Sequence, residues 1–172
     1  RSLPAEGAED SFIRTLSQMQ DDLRRDYVTG AYNAVYLNEQ YRPIAERAAM
    51  SGTPVGVVMV RVNEYWQLRE HESDSAANCC LNMAAGILQL AVGPDHDKAV
   101  LARLNDGFFA IVTIGTPAAR MAQTVREAMN DSRREFNISL SRRGSFTVEI
   151  ASAEWGETAS WDMTLSLAQQ RL

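Results

Sequence analysis

Cysteine and histidine are scarce in this chain of 172 residues, which contains two of each. Cys79 and Cys80 are neighbours, and adjacent residues cannot easily reach the geometry of a disulfide. They match no zinc spacing, and His71 and His96 are isolated, which argues against the usual Cys/His metal sites. We therefore expect both cysteines to be small buried or half-buried residues of a helix, in a reducing compartment.

Basic charge is also scarce, since 17 Lys and Arg residues face 22 Asp and Glu residues and the net charge is -5. Such a surface is poorly suited to displace counterions from phosphates, which argues against a nucleic-acid partner. Apolar runs stay short of the roughly 18–20 residues that cross a bilayer, and no signal-peptide pattern precedes the first helix. We expect a cytoplasmic chain, or the cytoplasmic part of a membrane-anchored protein. Its abrupt start at Arg1 suggests a piece of a larger protein.

An amphipathic segment occupies residues 9–25. Its apolar side chains recur at alternating steps of four and three, which is coiled-coil spacing: Phe12, Leu16, Met19 and Leu23. So short a stripe is marginally stable alone. Two interpretations stay open: the segment is part of a connecting coiled coil that pairs with a second copy, or it packs on its own domain. We divide the chain into this signalling helix, residues 1–25, and a domain, residues 26–172.

Beyond this segment, helical patterns alternate with short β-prone runs. The predicted strands are Val55–Val62 and two hairpins, 100–104 with 108–114 and 137–140 with 145–151. The predicted helices cover about 31–50, 73–90, 116–134 and 158–172. This order predicts an α+β domain in which helices cover a mixed sheet.

The turn at Asn105, Asp106 and Gly107 joins two of the predicted strands and is the best place for a site. Strands hold their connecting turns rigidly, and a turn whose backbone can approach a ligand often binds phosphate. Its only carboxylate is Asp106, and Phe108 stands where a second acid would help to hold a metal ion. The turn therefore suits a phosphate but supplies too few metal ligands.

Four segments, in order and at similar spacing, resemble the GGDEF domain of diguanylate cyclases across about residues 26–163. The domain opens with Asp-x-Leu-Thr-Gly-Leu-x-Asn, which residues 26–33 match as DYVTGAYN. Residues 57–65 are similar to the strand that leads to Asp-x-Asp-x-Phe, and 147–151 to the late Thr-Val-Ser-Ile-Gly strand. The signature turn, Arg-Leu-Gly-Gly-Asp-Glu-Phe, falls on residues 103–109, RLNDGFF.

The resemblance implies a palm-like fold of the ferredoxin and nucleotidyl-cyclase type, with a largely antiparallel mixed sheet flanked by helices. It also implies GTP and magnesium ions, from which two copies together make cyclic di-GMP. Here the metal-binding acid of the strand end falls on Arg61, its companion on Asn63, and the acid of the turn on Gly107. A guanidinium would repel magnesium. The rest of the degenerate signature turn is Asn105, Asp106 and Phe108, followed by the retained aromatic Phe109.

Other ligand-contacting positions of the family also differ. The two residues that recognise guanine in the family fall near Arg69 and Asn78, and Trp66 lies where a phosphate-contacting Lys is usual. The indole could stack on a base or fill an empty cleft, and we favour the second. The Arg-x-x-Asp inhibitory motif falls on His96 and Ala99, so that site is not supported. The candidate remnants of a nucleotide site are Arg61, Asn63, Trp66, Arg69, Asn78 and Arg103.

We therefore expect a catalytically inactive GGDEF-like domain, without catalytic residues, cofactor or metal, that relays signals within a larger sensor protein of cyclic di-GMP signalling. Its partners would be a second copy, bound through the N-terminal helix, and an upstream sensor domain. A first alternative is a receptor that binds GTP or cyclic di-GMP without turnover. A second is an active or altered diguanylate cyclase-type nucleotidyltransferase, which alone would need magnesium and carboxylates that the sequence does not offer.

Overall fold

The computed structural model describes residues 3–139 and 146–172. In this part of the chain, five strands form one sheet: β1 (Tyr32–Asn33), β2 (Val55–Val62), β3 (Ala99–Asn105), β4 (Phe108–Ile114) and β5 (Val148–Glu154). They lie in the order β1-β3-β4-β2-β5. Strands β1 and β3 run parallel, and the other neighbouring pairs are antiparallel. This mixed, largely antiparallel sheet confirms the expected α+β, palm-like fold class.

Helices cover both faces of the sheet. Within the described residues they are α1 (Leu3–Arg24), α2 (Ala34–Tyr36), α3 (Arg42–Met50), α4 (Tyr65–His71), α5 (Asp74–Val92), α6 (Ala118–Ser139), α7 (Trp155–Thr158) and α8 (Trp161–Gln170). A π-helical segment, Leu37–Tyr41, joins α2 to α3. Strand β2 is apolar from Val55 to Val60, because both of its faces are buried there. Val58 and Val60 belong to the core beneath α5 and α6, whereas Val57 and Met59 belong to the core beneath α3 and α8.

Helix α5 corrects the expectation that the apolar runs are short. Its 19 residues are long and apolar enough, by length and composition alone, to cross a membrane. Here the helix begins at a cap, where the Ser73 hydroxyl accepts a hydrogen bond from the backbone N–H of Ala76 at 3.0 Å. It then lies on the sheet with one face buried, including Ala77, Leu81 and Leu88. Length and composition do not separate such a core helix from a membrane span.

Several sequence-based assignments need correction. Tyr32, expected in a helix, lies in β1, and the Asn33 side chain then caps α2 by accepting a hydrogen bond from the backbone N–H of Tyr36. Residues 137–139, expected in a strand, belong to α6, and residue 140 with the turn after it lies outside the described residues. Strand β5 instead pairs with β2. Helix α4 has no counterpart among the predicted elements.

The cysteine expectation holds for one of the two residues. Cys80 is buried against the sheet, and burial raises the pKa of its thiol to about 12. Cys79 is exposed, because the next position on a helix points about 100° away from the buried face.

Helix α1 extends away from the domain. Its described side chains, at residues 7–23, are all exposed, so the interpretation in which it packs on its own domain is wrong for these residues. Its C-terminal end is bonded to the domain. Asn33 Nδ2 donates to the carbonyl oxygen of Leu23 at 2.8 Å, and the Arg25 guanidinium lies over the Tyr32 ring, 4.1 Å from its centroid. The end of α1 is therefore fixed on the domain while its apolar stripe stays uncovered.

A charged pair joins α7 to the residue that follows α8. Arg171 donates to the Glu157 carboxylate at 2.7 Å and to the carbonyl oxygen of Ser152 in β5 at 2.8 Å. The same carboxylate accepts a hydrogen bond from the backbone N–H of Glu154 at 2.8 Å. These hydrogen bonds lower the pKa of Glu157 to about 2, and the hydrogen bond from Arg171 has the largest effect.

The low pKa of Glu157 predicts a loss of stability in acid. Because the folded-state pKa of about 2 lies below the ordinary value of 4.5, the carboxylate stabilises the fold above pH 4.5 and loses this contribution as the pH falls toward 2. Urea unfolding over a pH series should show the wild type and Glu157→Gln converging in that window. Glu70→Gln, which alters an exposed carboxylate of α4, is the control. Parallel pH dependence of the wild type and Glu157→Gln would contradict the assignment.

Candidate functional site

The predicted hairpin is present, with β3 and β4 antiparallel and joined by Asp106 and Gly107. A register shift between Arg103 and Asn105 marks a bulge just before the turn. Asp106 has a φ of 47°, the left-handed region that Asp tolerates better than most residues. The sheet therefore holds the turn firmly beside the end of β2.

Gly107 lies in a space too small for any side chain. A Cβ built on this residue would lie 2.9 Å from Tyr65 Cβ and 2.9 Å from the carbonyl oxygen of Val62. The carbonyl oxygen of Gly107 also accepts a hydrogen bond from the backbone N–H of Val62 at 2.8 Å. The turn is thus closed against the end of β2 and the start of α4, at the position where the resemblance places the metal-binding acid.

Arg61 lies at the end of β2, beside the turn, and its charge is balanced within the sheet. Its guanidinium forms an ion pair with Glu149 of β5 and donates from Nε to Asn63 Oδ1 at 3.3 Å. In β4 its strand partner is the half-buried Phe108, which is followed by the fully buried Phe109. A paired cation and an apolar ring occupy this strand end, and neither is a ligand for a hard divalent metal ion.

Asn63 and Glu64 bind the chain that leads into β5. Asn63 Nδ2 donates to Thr147 Oγ1 at 3.1 Å, and the Glu64 carboxylate accepts from the Thr147 backbone N–H at 2.8 Å and from its hydroxyl at 2.6 Å. These polar groups satisfy one another, so Asn63 links the end of β2 to the chain just before β5. Among the described residues, no group of three or more His, Cys, Asp or Glu side chains could hold a metal ion. The residues present therefore do not fit the magnesium site that the fold family implies.

Arg103 connects the signature turn to the opening segment of the domain. Its guanidinium lies 3.1 Å from the Asp26 carboxylate, and each side chain is only 12% exposed. Its Nε donates to the carbonyl oxygen of Asp106 at 3.1 Å. Asp26 also accepts hydrogen bonds from the backbone N–H of Thr29 at 2.9 Å and from its hydroxyl at 2.7 Å. Asp26, two residues after the end of α1, is therefore bonded through Arg103 to the backbone of the turn.

A cavity of about 250 Å³ lies between the opening segment, α4, α5 and the turn. Among its lining residues are three of the predicted nucleotide-site remnants, Arg69, Asn78 and Arg103, together with Asp106. Arg69 is paired with Asp74 at 3.3 Å, and the Tyr65 hydroxyl and that carboxylate raise the pKa of Arg69 further. The cavity walls thus carry paired charges of both signs. The other three predicted remnants, Arg61, Asn63 and Trp66, do not line it.

Trp66 does not fill the nucleotide cleft, contrary to the favoured expectation. Its side chain is 49% exposed and packs edge-on against Tyr65, with ring centroids 5.5 Å apart, while Arg69 lies 5.3 Å from its face. Tyr65 is the aromatic residue that closes the site, since it is 6% exposed and contacts Gly107. The sequence did not predict this role. Tyr65 and Trp66 are adjacent aromatic residues, and no local pattern indicates which of the two is buried.

His96 and Ala99, at the positions of the inhibitory motif, make structural contacts, with His96 exposed and hydrogen-bonded to two tyrosines. His96 Nδ1 hydrogen-bonds to the Tyr32 hydroxyl at 3.2 Å, and the Tyr41 hydroxyl donates to the carbonyl oxygen of His96 at 3.0 Å. Ala99 is buried in β3. The Arg25 guanidinium lies over the ring of the same Tyr32. Through Tyr32, the loop after α5 that contains His96 is therefore connected to the residue that follows α1. Its isolation in the sequence does not indicate this packing role.

Solved structures share this fold at low sequence identity. The coiled coil and GGDEF domain of DgcB from Caulobacter crescentus, in complex with c-di-GMP, matches with a TM-score of 0.79 and 19% identity, covering 99% of this chain and 92% of that chain. The GGDEF domain of FimX from Pseudomonas aeruginosa matches with a TM-score of 0.70 and 21% identity, covering 86% of this chain and 90% of that chain. The diguanylate cyclase SiaD from Pseudomonas aeruginosa, solved with its activator SiaC, matches with a TM-score of 0.66 and 17% identity, covering 98% of this chain and 67% of that chain.

At such identities these likenesses establish the fold alone. The family is established by sequence, since the family model for "Diguanylate cyclase, GGDEF domain" matches residues 23–172. The matched range includes the opening turn with Asp26 and the signature hairpin with Arg103, which the structure joins by an ion pair. From the opening turn to its last residue, this chain belongs to the GGDEF family of diguanylate cyclase domains.

Proposed function

We propose that this chain is a catalytically inactive GGDEF domain that serves as a signalling or interaction module. The observation that carries the proposal is the closed turn, in which Gly107 has no room for a side chain and Arg61 is paired with Glu149. Metal-assisted phosphoryl transfer requires carboxylates that hold the metal ion against the phosphates. With an arginine at the strand end and the turn packed against Tyr65, that chemistry lacks its protein ligands here.

The proposal gives the two parts of the chain different tasks. Residues 1–25 would form a signalling helix that connects an upstream sensor domain to residues 26–172, in a protein whose GGDEF domain lies in the cytoplasm. The uncovered apolar stripe of α1 supports pairing with a second copy. The contacts of Asp26 with Arg103, and of Arg103 with the turn, would link a displacement of α1 to the former active-site region.

The cavity beside α5 favours a second candidate function, a nucleotide receptor without turnover. It brings Arg69, Asn78 and Arg103 together, and these side chains offer donors to a base edge or a phosphate. Its volume of about 250 Å³ suits a group the size of a base and is small for a whole nucleotide. Both arginines are already paired with carboxylates, so a phosphate would have to compete with Asp74 and Asp26.

Calorimetric titration of GTP and of cyclic di-GMP, each with and without magnesium, tests the proposal alongside an assay for cyclic di-GMP formation. We expect no product and no magnesium-dependent binding of GTP, because the metal ligands are replaced. Binding that ignores magnesium, is weakened at least tenfold in Asn78→Ala and is unchanged in Arg47→Ala, a control at an exposed position of α3, would support the receptor function. Formation of cyclic di-GMP would overturn the proposed inactivity.

A further inference from the structure

Strand β3 has an open edge along its N-terminal half. Its neighbour β1 contains only Tyr32 and Asn33, and these pair with residues 102–103. Among the described residues, no strand lies beside residues 99–101 on this side of β3. Gly30, with a φ of 73°, turns the chain away just before β1, so that strand is not continued toward its N-terminal side.

The pairing of β3 with β4 shows which backbone groups face this edge. Successive residues of a strand direct their backbone N–H and C=O groups to alternate sides. The carbonyl oxygen of Lys98 accepts a hydrogen bond from the N–H of Ile114, at the end of β4, at 2.8 Å. One and three residues further along, Ala99 and Leu101 therefore direct their backbone groups away from β4, toward the open edge.

Each of these two residues keeps one backbone group for a further partner. The N–H of Ala99 donates to the carbonyl oxygen of Asp95 at 3.1 Å. In the parallel register of β1, the carbonyl oxygen of Leu101 accepts from the N–H of Tyr32. Within the described part of the chain, the carbonyl oxygen of Ala99 and the N–H of Leu101 are thus left without a strand partner.

A cavity of about 280 Å³ lies along this open edge. Its walls include residues 99–101, Gly30 and Arg25, together with Gln89 and Val92 from the end of α5. It shares no lining residue with the cavity beside the signature turn. Since ligand pockets usually have about 300–1,000 Å³, this cavity has room for about one or two residues of a peptide and is too small for a long strand.

Arg25 gives the cavity a cation that retains hydrogen-bond donors. Its guanidinium lies over the Tyr32 ring, and Nη1 donates to the carbonyl oxygen of Gly30 at 3.3 Å. Among the described residues, the carboxylate paired with it is that of Asp21, and the 3.9 Å from Nε to Oδ1 is too long for a hydrogen bond. Unlike the tightly paired Arg103, Arg25 can therefore bind an added carboxylate.

We propose that this cavity binds the C-terminal residue of an extended peptide from a partner protein, which adds to the open edge of β3 and places its carboxylate on Arg25. The last N–H of the peptide donates to the carbonyl oxygen of Ala99. The carboxylate accepts from the N–H of Leu101 and from the guanidinium. Strand addition and capture of a chain end are two recurring modes of peptide recognition, and here they coincide. This inference goes beyond the proposed function and does not depend on whether the domain is inactive.

The free backbone groups determine the direction of the peptide. A residue of an antiparallel strand exchanges two hydrogen bonds with one residue opposite it, whereas a residue of a parallel strand bonds the two residues that flank its opposite. Because Ala99 and Leu101 keep one free group each, a parallel residue opposite Val100 is the one that uses both. A parallel peptide points its carboxyl end toward Gly30 and Arg25 at the start of β1, so the peptide ends there.

Occupation of this cavity would also act on the signalling helix. Arg25 directly follows Arg24, the last residue of α1, and its guanidinium contacts Tyr32 of β1. A carboxylate bound to Arg25 therefore adds a contact between the end of α1 and the edge of the sheet. A partner protein with a free chain end would thus bind where the helix joins the domain.

NMR titration of the ¹⁵N-labelled full chain with N-acetyl-alanyl-alanine, up to about 50 mM, tests this inference. We expect the amide signal of Leu101 to shift with a dissociation constant in the millimolar range, since so few contacts barely exceed the cost of ordering the peptide. The C-terminal amide of the same peptide should bind about tenfold more weakly, because it lacks the charge for Arg25. N-acetyl-alanyl-lactate, in which an ester replaces the last N–H, should bind about threefold more weakly or worse.

Arg25→Met should weaken binding of the free acid about tenfold and leave binding of the amide unchanged. Arg47→Met, at an exposed position of α3, is the matched control and should alter neither. Circular dichroism checks the fold of both variants, and the comparison of acid with amide on the wild type needs no variant. Absence of a Leu101 shift, or equal binding of acid and amide, would overturn the inference. Equal shifts with sodium acetate would indicate a site for small anions only and would overturn strand addition.

Discussion

Gly107→Asp should destabilise the domain and create no cyclase activity, although it introduces the residue type that the family has at this position. A Cβ at residue 107 would lie 2.9 Å from both Tyr65 Cβ and the carbonyl oxygen of Val62, so the turn must move away from the end of β2. Overpacking together with a buried carboxylate predicts a loss of about 2–4 kcal/mol in the free energy of unfolding. Denaturant unfolding monitored by circular dichroism measures this loss.

Asp106→Gly provides the control in the same turn. Glycine adopts the φ of 47° at this position without strain, and the hydrogen bond from Arg103 goes to the backbone carbonyl oxygen, which the substitution retains. Its effect should stay within about 1 kcal/mol. Wild-type stability in Gly107→Asp would show that the turn can open. Cyclic di-GMP formation by that variant would show that the lost acid alone causes inactivity.

Asp26→Ala should also destabilise the domain strongly, because it leaves the Arg103 guanidinium unpaired in a largely buried place. Both side chains are 12% exposed, and Asp26 accepts two further hydrogen bonds from Thr29. Breaking a buried ion pair from one side predicts a loss of about 2–4 kcal/mol in the free energy of unfolding. The double variant Asp26→Ala/Arg103→Met should recover part of this loss, since no buried charge then remains unpaired.

The matched control for this prediction is an exposed ion pair. Lys98 lies 3.9 Å from Asp95, and the Lys98 side chain is 75% exposed. Lys98→Ala should therefore change the free energy of unfolding by less than about 0.5 kcal/mol. If Asp26→Ala costs no more than this control, the contact between the opening segment and the turn does not hold the domain together. The proposed connection from α1 to the turn would then lose its basis.

Within the proposed function, this ion pair and the closed turn have complementary effects. The closed turn removes the place for metal ions, while Asp26 and Arg103 keep the turn attached to the end of α1. Arg103 and Asp106 also line the cavity beside α5, so the same contacts shape the wall that a ligand would meet. A domain can thus lose its chemistry and still couple the signalling helix to its former substrate region.

Local patterns in the sequence predicted much of the fold. The run Val55–Val62 is β2, the turn before Phe108 is a hairpin, and the apolar pattern after Ser73 is α5. Each of these signals is contained within the element, because buried strands need apolar residues on both faces and helices need a periodic stripe and a cap. Two of the failures lie where two patterns compete. Tyr32 fits a helix but pairs with β3, and residues 137–139 fit a strand but continue α6.

The candidate site was predicted only in part, since contact between side chains depends on residues far apart in the chain. Arg69, Asn78 and Arg103 meet at one cavity, whereas Arg61, Asn63 and Trp66 lie outside its walls. No local pattern indicates that Glu149 pairs with Arg61, because that pairing depends on the register of β2 against β5. The roles of Tyr65 and His96 depend on packing in the same way.

By itself, the sequence determined the α+β order of elements and the likeness to the GGDEF family, and it predicts that the acidic metal ligands are replaced. These follow from residue types and spacing along the chain. Only the tertiary structure decided that Gly107 has no room for a side chain, that Arg103 is paired with Asp26 and that α1 leaves its apolar stripe uncovered. Space, pairing and exposure are properties of neighbours brought together by folding, and residue spacing alone does not specify those neighbours.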